Sequence, residues 1–572
     1  MSSISPGAVL VLDADSRAGL ATVQSLGRRG VPSHVGMRAA GSLTAHSRWC
    51  TRIHPQPAAE AVADAHAWMR GLHAEHRFVL IVPTTEASLL WLRALSPEDP
   101  LRKLALLPSD EALDIALSKE RTRALAERIG LPVPGSRLLA RGTSPGDHES
   151  SGFPCVLKSA SSKVQVDGRL VTLAPVVVRD ASMRSALLKK WLPHTDVQEQ
   201  RWVPGRGVGV ELVYANGEVV AEFVHERLHE LPLTGGGSTL RRAAKPDAHL
   251  LELSKRLLDA LQWQGVAMVE WRRADDGAIH LMEINPRLWG SLPLTIAAGV
   301  DVPAILHDLA RGTPGRVVTR WKENVYARNI GEDVRWTMSN LRADRADPLL
   351  LTQSLPAMLA GWLRVFSGRE IYDGWRVGDP AVAIAELKSV ARGLYARPAG
   401  MLHRRSLRHR IIKAHEARFG AHGEHLRPIR NLLFLCYGNI CRSPFAERLA
   451  QQTLPALDIT SAGFHPRSGR ASPEHVVRAA RVHAVDLADW SSREVTGRMV
   501  ADADCIVVMD VSHLEKMQAD FPEALDRTTL LGLFDRNGPV ELMDPYTLSP
   551  EKTGAVMRDM SRAISGLAKA LR

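Results

Sequence analysis

The chain is poor in the features that mark secreted, disulfide-stabilised or membrane-spanning proteins. It has only 5 cysteines in 572 residues, too few for a disulfide framework, so a reducing compartment is expected. Residues 1–20 lack a basic segment followed by an uninterrupted apolar run, and no secretory signal is apparent. No stretch of about 18 or more apolar residues occurs, which excludes an ordinary transmembrane helix. We therefore expect a soluble, cytoplasmic protein with no transmembrane segment.

Length and composition indicate a globular protein of several domains. At about 100–200 residues per domain, 572 residues correspond to three or more folding units. Apolar residues make up 45% of the chain and charged residues 24%, so packed cores can form and extensive disorder is not expected.

The chain carries an excess of positive charge, with a net charge of +11. Residues 401–430 hold eight basic and two acidic side chains, a local net charge of +6, and the remaining charge is spread thinly. A basic helical segment of this kind is most often a solvated connector between domains. Binding of anionic lipid, nucleic acid or a phosphorylated substrate is the alternative. Because the basic residues are concentrated in this connector, nucleic acid is not expected as the main partner.

Apolar runs and helical patterns divide the chain into regions. Runs at 8–13 and 78–83 predict buried parallel strands, each followed by a helix, and so a small α/β unit over roughly the first hundred residues. Strand-like runs with intervening helices between 153 and 286 predict a mixed α+β domain. A fresh strand at 432–436 begins βα alternation that continues to the C-terminus.

The most specific motif is the segment CYGNICRSP at 436–444, which follows an apolar strand and precedes a helical stretch. A C-x5-R loop in that setting can wrap backbone N–H groups around a tetrahedral dianion at a helix N-terminus. Arg442 can grip two phosphate oxygens with its planar guanidinium. The same positive field favours the nucleophilic thiolate of Cys436, and Ser443 is placed to donate a hydrogen bond to it.

Residues 428–572 resemble the low-molecular-weight protein tyrosine phosphatase family over the family's whole usual length. Further matching motifs are SAG at 461–463, VMD at 508–510, LGLF at 531–534 and DPY at 544–546. The resemblance implies that Cys436 attacks phosphorus to form a phosphocysteine and that Asp544 protonates the leaving oxygen. Asp544 would then help water to release phosphate, and Asn439 would brace the loop.

Arsenate reductases share this fold and loop and are the alternative for the C-terminal region. Those with an internal relay use an additional cysteine pair. Cys505 lies alone in an apolar run, which is typical of a core residue. Cys441 could protect Cys436 as a reversible disulfide, as in some members of the phosphatase family. The sequence therefore favours a phosphatase.

A second constellation of polar residues lies on two neighbouring predicted strands. Glu270 is followed by the segment LMEINPR at 281–287. Glu283 and Asn285 are two residues apart, so they share one face of a strand. Two carboxylates and an amide oxygen are ligands that suit Mg²⁺, which also bridges nucleotide phosphates. The pattern predicts a metal site formed by Glu270, Glu283 and Asn285, with Arg287 nearby to bind a phosphoryl or carboxylate oxygen.

This pattern resembles the ATP-grasp superfamily, specifically its carboxylate–amine or carboxylate–thiol ligases, over roughly residues 8–315. The positions implied to bind ATP are Lys119, Lys158, Gln198, Glu199, Glu211 and Arg287. In the family, two lysines contact ATP and its phosphates, and a hinge, here Gln198-Glu199 to Gly205, holds adenine and ribose. A glycine-rich segment at 235–239 resembles the mobile loop near the acyl substrate. The resemblance implies ATP and Mg²⁺ as cofactors.

Each of these residues also has a plainer interpretation when it is taken alone. Lys158 could be a lysine at a strand end, and Glu270 could be a solvated strand residue. The ordered series of matches makes the ligase interpretation the stronger one. The first β–α turn, at 13–19, is not a dinucleotide fingerprint, so no NAD site is predicted.

Together these features predict an α/β multidomain protein. The predicted regions are a pre-ATP-grasp α/β domain at 1–105, an ATP-grasp α+β domain at 106–315, a helical extension with a basic linker at 316–427, and a doubly wound parallel-sheet phosphatase domain at 428–572. The predicted function is bifunctional: ligation of small-molecule acids and amines through an acylphosphate, and hydrolysis of a phosphorylated small molecule or phosphotyrosine protein. The alternative is a regulatory phosphatase with an ATP-binding sensor or scaffold.

Overall fold

The computed structural model of the protein describes residues 7–39, 41–159, 164–166, 169–171, 173–313, 317–420, 428–548 and 550–571. The chain forms two compact units, Met1–Ala391 and Arg392–Arg572. Each unit contains its own sheets and its own apolar core.

The first unit begins with a small α/β layer. Its elements are β1 (Ala8–Leu12), α1 (Arg17–Arg28), β2 (Ser33–Met37), β3 (Cys50–Pro55), α2 (Val62–His76), β4 (Phe78–Pro83), α3 (Glu86–Arg93), α4 (Pro100–Lys103), α5 (Asp110–Ala116) and α6 (Lys119–Arg128). The strands form a parallel sheet in the order β3-β2-β1-β4. Helix α1 begins after Ser16, whose Oγ accepts a hydrogen bond from Gly19 N over 2.9 Å. The predicted strand–helix pattern is confirmed here.

A second, antiparallel sheet follows in the first unit. Its elements are β5 (Ser136–Leu139), β6 (Cys155–Ser159), β7 (Val164–Val166), β8 (Arg169–Val171), β9 (Val176–Val178), α7 (Ala181–Trp191) and β10 (Val197–Arg201). The order of the sheet is β5-β10-β6-β9, and β7 and β8 pair as a separate hairpin. The apolar residues of this sheet pack against Leu188 and Trp191 of α7.

The largest sheet of the first unit has seven strands. Its region comprises β11 (Arg206–Ala215), β12 (Glu218–Leu231), β13 (Gly237–Ala243), α8 (Ala248–Asp259), β14 (Gly265–Arg273), β15 (Ile279–Asn285), α9 (Leu292–Ala297), α10 (Val302–Ala310), β16 (Tyr326–Arg328), α11 (Ile330–Arg342), α12 (Leu355–Leu363) and β17 (Glu370–Tyr372). The order is β15-β14-β11-β12-β13-β16-β17. Strands β16 and β17 come from the predicted helical extension, so that extension completes the sheet of the first unit.

Helix α13 (Pro380–Phe419) continues from the first unit into the second. The second unit then contains β18 (Asn431–Cys436), α14 (Arg442–Thr453), β19 (Asp458–Gly463), α15 (Glu474–Arg481), α16 (Gly497–Asp502), β20 (Cys505–Val508), α17 (Val511–Asp520), β21 (Thr528–Leu530) and α18 (Pro550–Ala570). The strands are parallel in the order β19-β18-β20-β21. Alternate strand residues face two apolar clusters, one on each side of the sheet. This confirms the predicted doubly wound fold class.

The basic segment at the end of α13 is only partly solvated. Leu407 and Ile411 are buried in the apolar cluster that covers one face of the second sheet. Arg404 donates to both carboxylate oxygens of Glu515, and His415 Nδ1 lies 2.9 Å from Thr529 Oγ1. This segment is therefore an element of the second unit as well as a connector. Residues 421–427 of the predicted linker lie outside the described residues.

None of the helices in the described ranges is long and apolar enough to cross a membrane.

The close packing of α18 yields a stability prediction. A Cβ at Gly566 would lie 1.9 Å from the backbone oxygen of Phe534, whereas a Cβ at Gly554 on the same helix would meet only Arg558 Nη1, at 3.6 Å. We expect Gly566→Ala to lower the free energy of unfolding by about 1–3 kcal/mol. Gly554→Ala should raise it by up to about 1 kcal/mol, since alanine favours the helix. Urea unfolding of the full chain followed by circular dichroism measures both. Equal stability of the two variants would contradict this packing.

Candidate functional site

In the second unit, polar groups converge on the loop between β18 and α14. Strand β18 is central in the parallel sheet, so the loop lies at the carboxyl edge where open α/β sheets bind ligands. The loop turns at Asn439, whose φ of 50° lies in the left-handed region that asparagine tolerates. Helix α14 begins at Arg442, so its N-terminus and free backbone N–H groups face the loop. The predicted C-x5-R motif therefore has the strand–loop–helix setting that anion binding requires.

The thiol of Cys436 is buried and receives directed hydrogen bonds. Asn439 N donates to Cys436 Sγ over 3.2 Å, and Ser443 Oγ lies 3.1 Å from the same sulfur. Asn439 Nδ2 donates to Ser443 Oγ over 3.0 Å, and the Ser443 hydroxyl hydrogen can be shared between the sulfur and Ala462 O, which lies 3.4 Å away. Both contacts direct polar groups of the loop at the sulfur.

Asn439 braces the loop with both ends of its side chain. Nδ2 also donates to Ser461 Oγ over 2.9 Å, and Oδ1 accepts from Arg493 N over 2.9 Å. Trp490 Nε1 donates to the Asn439 backbone oxygen over 2.7 Å. The SAG motif has a matching physical reason, because a Cβ at Gly463 would lie 2.8 Å from Asn439 N. Strand β19 thus needs glycine where the loop passes over it.

Arg442 joins the loop to two carboxylates from later in the chain. Its Nη1 donates to Asp510 Oδ2 over 2.6 Å and to Leu542 O over 3.0 Å, and its Nη2 donates to Asp544 Oδ2 over 2.6 Å. Arg442 is buried, whereas the Asp544 side chain is 47% exposed. The sequence-predicted residues Cys436, Asn439, Arg442, Ser443 and Asp544 are therefore brought together at one edge of the sheet.

The two cysteines of the loop have different environments. Burial raises the pKa of the Cys441 thiol above its ordinary value, and the negative groups of Asp544 and Cys436 add to this effect. Cys441 therefore stays a neutral thiol.

The carboxyl of Asp510 is ionised at neutral pH. Burial opposes its ionisation, but His513, Ser512 and Arg442 together lower the pKa of this carboxyl. Asp510 therefore holds Arg442 in place.

Two aromatic side chains are exposed beside the loop. Tyr437 is 51% exposed and Tyr546 is 56% exposed. Tyr437 follows the nucleophile directly, and Tyr546 comes two residues after Asp544. Exposed tyrosines at the rim of a polar site can pack against an aromatic group of a ligand.

In the first unit, a cavity of about 520 Å³ holds most of the remaining predicted residues. Its lining includes residues of the antiparallel four-stranded sheet β5-β10-β6-β9, of the seven-stranded sheet and of the glycine-rich loop before β13. Of the predicted site residues, those that line it are Lys119, Lys158, Glu270, Glu283, Asn285 and Arg287. Gly235, Gly236, Gly237 and Ser238 of the predicted mobile loop also line it.

Glu270 and Glu283 are direct cross-strand partners on β14 and β15. Asn285 lies two residues further along β15, and its Nδ2 donates to Glu283 Oε1 over 3.1 Å. Lys119, the first residue of α6, has its Nζ 4.0 Å from Glu283 Oε2. Arg287 Nη2 donates to Asn285 Oδ1 over 3.4 Å. The strand alternation seen in the sequence therefore puts the predicted oxygen ligands on one wall of the cavity.

Arg227 of β12 holds Glu270 in a two-pronged ion pair. Its Nη1 and Nη2 donate to the two Glu270 oxygens over 2.7 and 2.6 Å. Burial opposes ionisation of Glu270, but the positive charge of Arg227 outweighs it and lowers the pKa of the carboxyl. Sequence reasoning missed Arg227. The spacing of His225 and Arg227, two residues apart and so on one face of the predicted strand, was the available signal.

The ammonium group of Lys158, on β6, has a lowered pKa. Burial lowers this pKa to about 8, and the positive charge of Lys119 adds to the effect. The two predicted lysines thus approach the same cavity closely enough to repel each other. A ligand with phosphate charge would relieve that repulsion.

The structure places Gln198, Glu199 and Glu211 away from the lining of this cavity. Glu199 is fully buried on the other face of β10, where Arg184, Arg137 and Ser151 donate to it. Gln198 lines a small neighbouring cavity with Lys119. Alternation along a strand means that Gln198 and Glu199 cannot both face one side. The hinge residues that line the large cavity are Gln200, Arg201, Trp202 and Val203.

Glu211 lies in a buried polar network behind the cavity wall. Ser291 Oγ donates to it over 2.7 Å, Thr295 Oγ1 also donates to it, and His225 Nδ1 lies 3.0 Å away. His225 does line the cavity. Glu211 therefore lies next to His225, which lines the cavity, and is not itself among the lining residues.

Comparison with known proteins identifies two families. Residues 431–572 match the model of the low molecular weight phosphotyrosine protein phosphatases, and residues 200–332 match a model described as ATP-grasp in the biosynthetic pathway with Ter operon. The low molecular weight protein-tyrosine-phosphatase Wzb of Escherichia coli K12 is 34% identical over 141 residues, which are 25% of this chain and 95% of Wzb. The probable phosphatase AmsI of Erwinia amylovora is 34% identical over 143 residues, which are 25% of this chain and 98% of AmsI.

Among solved structures, the N5-carboxyaminoimidazole synthetase from Staphylococcus aureus is 14% identical in sequence. The match covers 57% of this chain and 84% of the synthetase chain, with a TM-score of 0.45. The predicted fusion of an ATP-grasp region with a phosphatase domain is confirmed.

The environments of the two loop cysteines predict selective alkylation. At pH 7 we expect iodoacetate to modify Cys436 at least about tenfold faster than Cys441, because burial raises the pKa of the Cys441 thiol and keeps it protonated. Peptide mass spectrometry of the intact chain gives both rates. In urea the two cysteines should react alike, which is the control. Equal rates in the folded chain would contradict the assigned roles.

Proposed function

The chain belongs, through residues 431–572, to the low-molecular-weight phosphotyrosine protein phosphatase family, and we propose that it hydrolyses phosphomonoesters through a phosphocysteine and also ligates a carboxylic acid at the expense of ATP. The observation that carries the first half is the convergence of Cys436, Arg442 and Asp544 on one loop. Both halves handle phosphate, and they use separate sets of residues.

In the proposed hydrolysis, the Cys436 thiolate forms a bond to phosphorus as the ester oxygen leaves with its electron pair. The carboxyl of Asp544 gives its proton to that oxygen, and the guanidinium of Arg442 binds the phosphoryl oxygens. Asp544, now ionised, takes a proton from the water that breaks the S–P bond. An exposed tyrosine pair beside the loop supports an aromatic ester, as in phosphotyrosine.

A reductase with a cysteine relay is less well supported by the positions of the other cysteines. Cys505 is buried in β20, in the apolar cluster of the sheet, and burial raises the pKa of its thiol to about 11. A relay needs a thiolate that can reach the nucleophile. The phosphatase is the better proposal on this ground.

Removing the nucleophile tests the phosphatase proposal. Cys436→Ser should abolish hydrolysis of para-nitrophenyl phosphate, and Asp544→Asn should lower kcat by about 10²–10⁴-fold. Cys50→Ser, which changes a half-buried cysteine in the first unit, is the matched control and should keep full activity. Retained activity in Cys436→Ser would refute the phosphocysteine.

The cavity of the first unit supports the second half of the proposal. ATP would lie between the antiparallel four-stranded sheet and the seven-stranded sheet. Lys119 and Lys158 would bind its phosphate oxygens, and Gln200 to Val203 would face the adenosine. A substrate carboxylate oxygen would attack the γ-phosphorus, giving an acylphosphate and ADP. An amine or thiol would then attack the acyl carbon and release phosphate.

The oxygen donors of this cavity fit a divalent metal. Glu270, Glu283 and Asn285 offer two carboxylates and one amide oxygen on one wall, the hard donor set that Mg²⁺ prefers. These residues would hold Mg²⁺, which when bound neutralises charge on the nucleotide phosphates. Arg227 keeps Glu270 ionised and oriented for that purpose.

Release of ADP tests the ligase proposal. With Mg²⁺, ATP and a panel of acids and amines, the wild-type chain should release ADP only with an accepted pair. Glu283→Ala should lower the rate about 100-fold or more, because a charge contact of several kcal/mol is lost. Glu252→Ala, on the exposed face of α8, is the matched control. Unchanged turnover in Glu283→Ala would refute the metal-binding role, and an unchanged thermal unfolding transition of the first unit in the same sample shows that the variant is folded.

A further inference from the structure

Three histidines meet on one face of the first sheet, and none of them belongs to the two sites described above. His34 is on β2, His54 is on the edge strand β3, and His76 is the last residue of α2. In the register of β2 and β3, His34 pairs with Arg52 and Gly36 pairs with His54, so the two histidines share a face. Helix α2 ends beside that face and adds the third imidazole. None of the three lines the nucleotide-sized cavity.

The imidazoles are close together and largely sheltered from solvent. His34 and His54 are 7% and 8% exposed, and the His76 side chain is 14% exposed. His34 Nδ1 lies 3.0 Å from His54 Nε2, and the rings of His34 and His76 are 4.3 Å apart. One nitrogen from each of the three rings lies within 4.8 Å of the other two. His76 Nε2 is buried and makes no hydrogen bond to any described residue.

We propose that His34, His54 and His76 bind a divalent transition-metal ion, with Zn²⁺ as the best match. Imidazole nitrogens are ligands for Zn²⁺, Ni²⁺ and Cu²⁺, whereas Mg²⁺ and Ca²⁺ prefer oxygen. Tetrahedral zinc with Zn–N bonds of about 2.0–2.1 Å separates its ligand nitrogens by about 3.3 Å. The observed separations of 3.0 Å to at most 4.8 Å bracket that value. Small side-chain rotations would therefore complete the site.

The surroundings leave room for a fourth ligand. Glu75 Oε1 lies 3.4 Å from His76 Nε2, and the Glu75 side chain is 59% exposed, so this carboxylate or a water can approach from solvent. Arg52 pairs with Glu75 over 3.3 Å at the same rim. The edge of Phe78 packs against His34 at 5.3 Å between ring centroids and shields the inner side.

A hydrogen-bonded histidine cluster without metal is the alternative arrangement. It accounts for the contact between His34 and His54, but it leaves His76 Nε2 buried with no hydrogen bond. Metal would tie the end of α2 to two strands.

The test is metal binding by the full chain. All samples carry Cys436→Ser, so that the reactive thiolate does not contribute, and contain excess Mg²⁺ to occupy the carboxylates of the large cavity. After chelator treatment, Zn²⁺ binding is measured by calorimetry and by metal analysis after gel filtration. Co²⁺ is then used as a spectroscopic probe, since tetrahedral Co²⁺ has visible ligand-field bands. Variants His54→Gln and His76→Gln are compared with His249→Gln, an exposed histidine on α8.

We expect one equivalent of Zn²⁺ in the parent chain and in His249→Gln, with tetrahedral Co²⁺ bands. Both His54→Gln and His76→Gln should bind Zn²⁺ at least about tenfold more weakly, because each loses one ligand. Zn²⁺ should raise the thermal unfolding midpoint of the parent chain and not of these variants. No stoichiometric Zn²⁺ in the parent chain, or equal affinity in His54→Gln, His76→Gln and His249→Gln, would overturn the proposal. The result is independent of both enzymatic activities.

Discussion

Both candidate sites depend on the pairing of buried cations with carboxylates. A guanidinium or ammonium group that binds phosphate in these sites is held away from bulk water. In such a buried position an unpaired charge is costly. In the second unit Arg442 is held by Asp510 and Asp544. In the first unit Arg227 holds Glu270, and Lys119 approaches Glu283. Asp544, Glu270 and Glu283 are also the groups that the proposed chemistry uses as acid or as metal ligands, whereas Asp510 only holds Arg442 in place.

The two folds supply this pairing by different geometry. In the second unit a parallel strand ends in a loop that enters a helix N-terminus, so backbone N–H groups and one arginine surround a single point. In the first unit antiparallel strands present every second residue to one cavity, and carboxylates lie opposite each other across the ladder. The first arrangement surrounds one phosphate group, whereas the cavity beside the second has room for a nucleotide with its metal.

The sequence predicted the second site more completely than the first. Cys436, Asn439, Arg442 and Ser443 lie within eight consecutive residues, so local geometry alone brings them together. Asp544 was found through the family motif, because no local pattern reveals which distant carboxylate meets a loop. In the first unit the alternation of Glu283 and Asn285 placed both on the cavity wall. Gln198 and Glu199 were both predicted from the sequence to bind ATP, but alternation puts them on opposite faces of β10. The structure places Glu199 in an ion pair with Arg184 on the face away from the cavity. Arg227, and the meeting of His34, His54 and His76, depend on strand register and helix packing, which sequence spacing does not specify.

We propose that this one chain carries two independent phosphate-handling sites. Calorimetric titration of the full chain, first with Mg²⁺ and a non-hydrolysable ATP analogue and then with inorganic phosphate, distinguishes two sites from one. We expect two one-to-one binding events whose heats and affinities are unchanged when the order of addition is reversed. Displacement of one ligand by the other, or a single shared binding event, is incompatible with two independent sites.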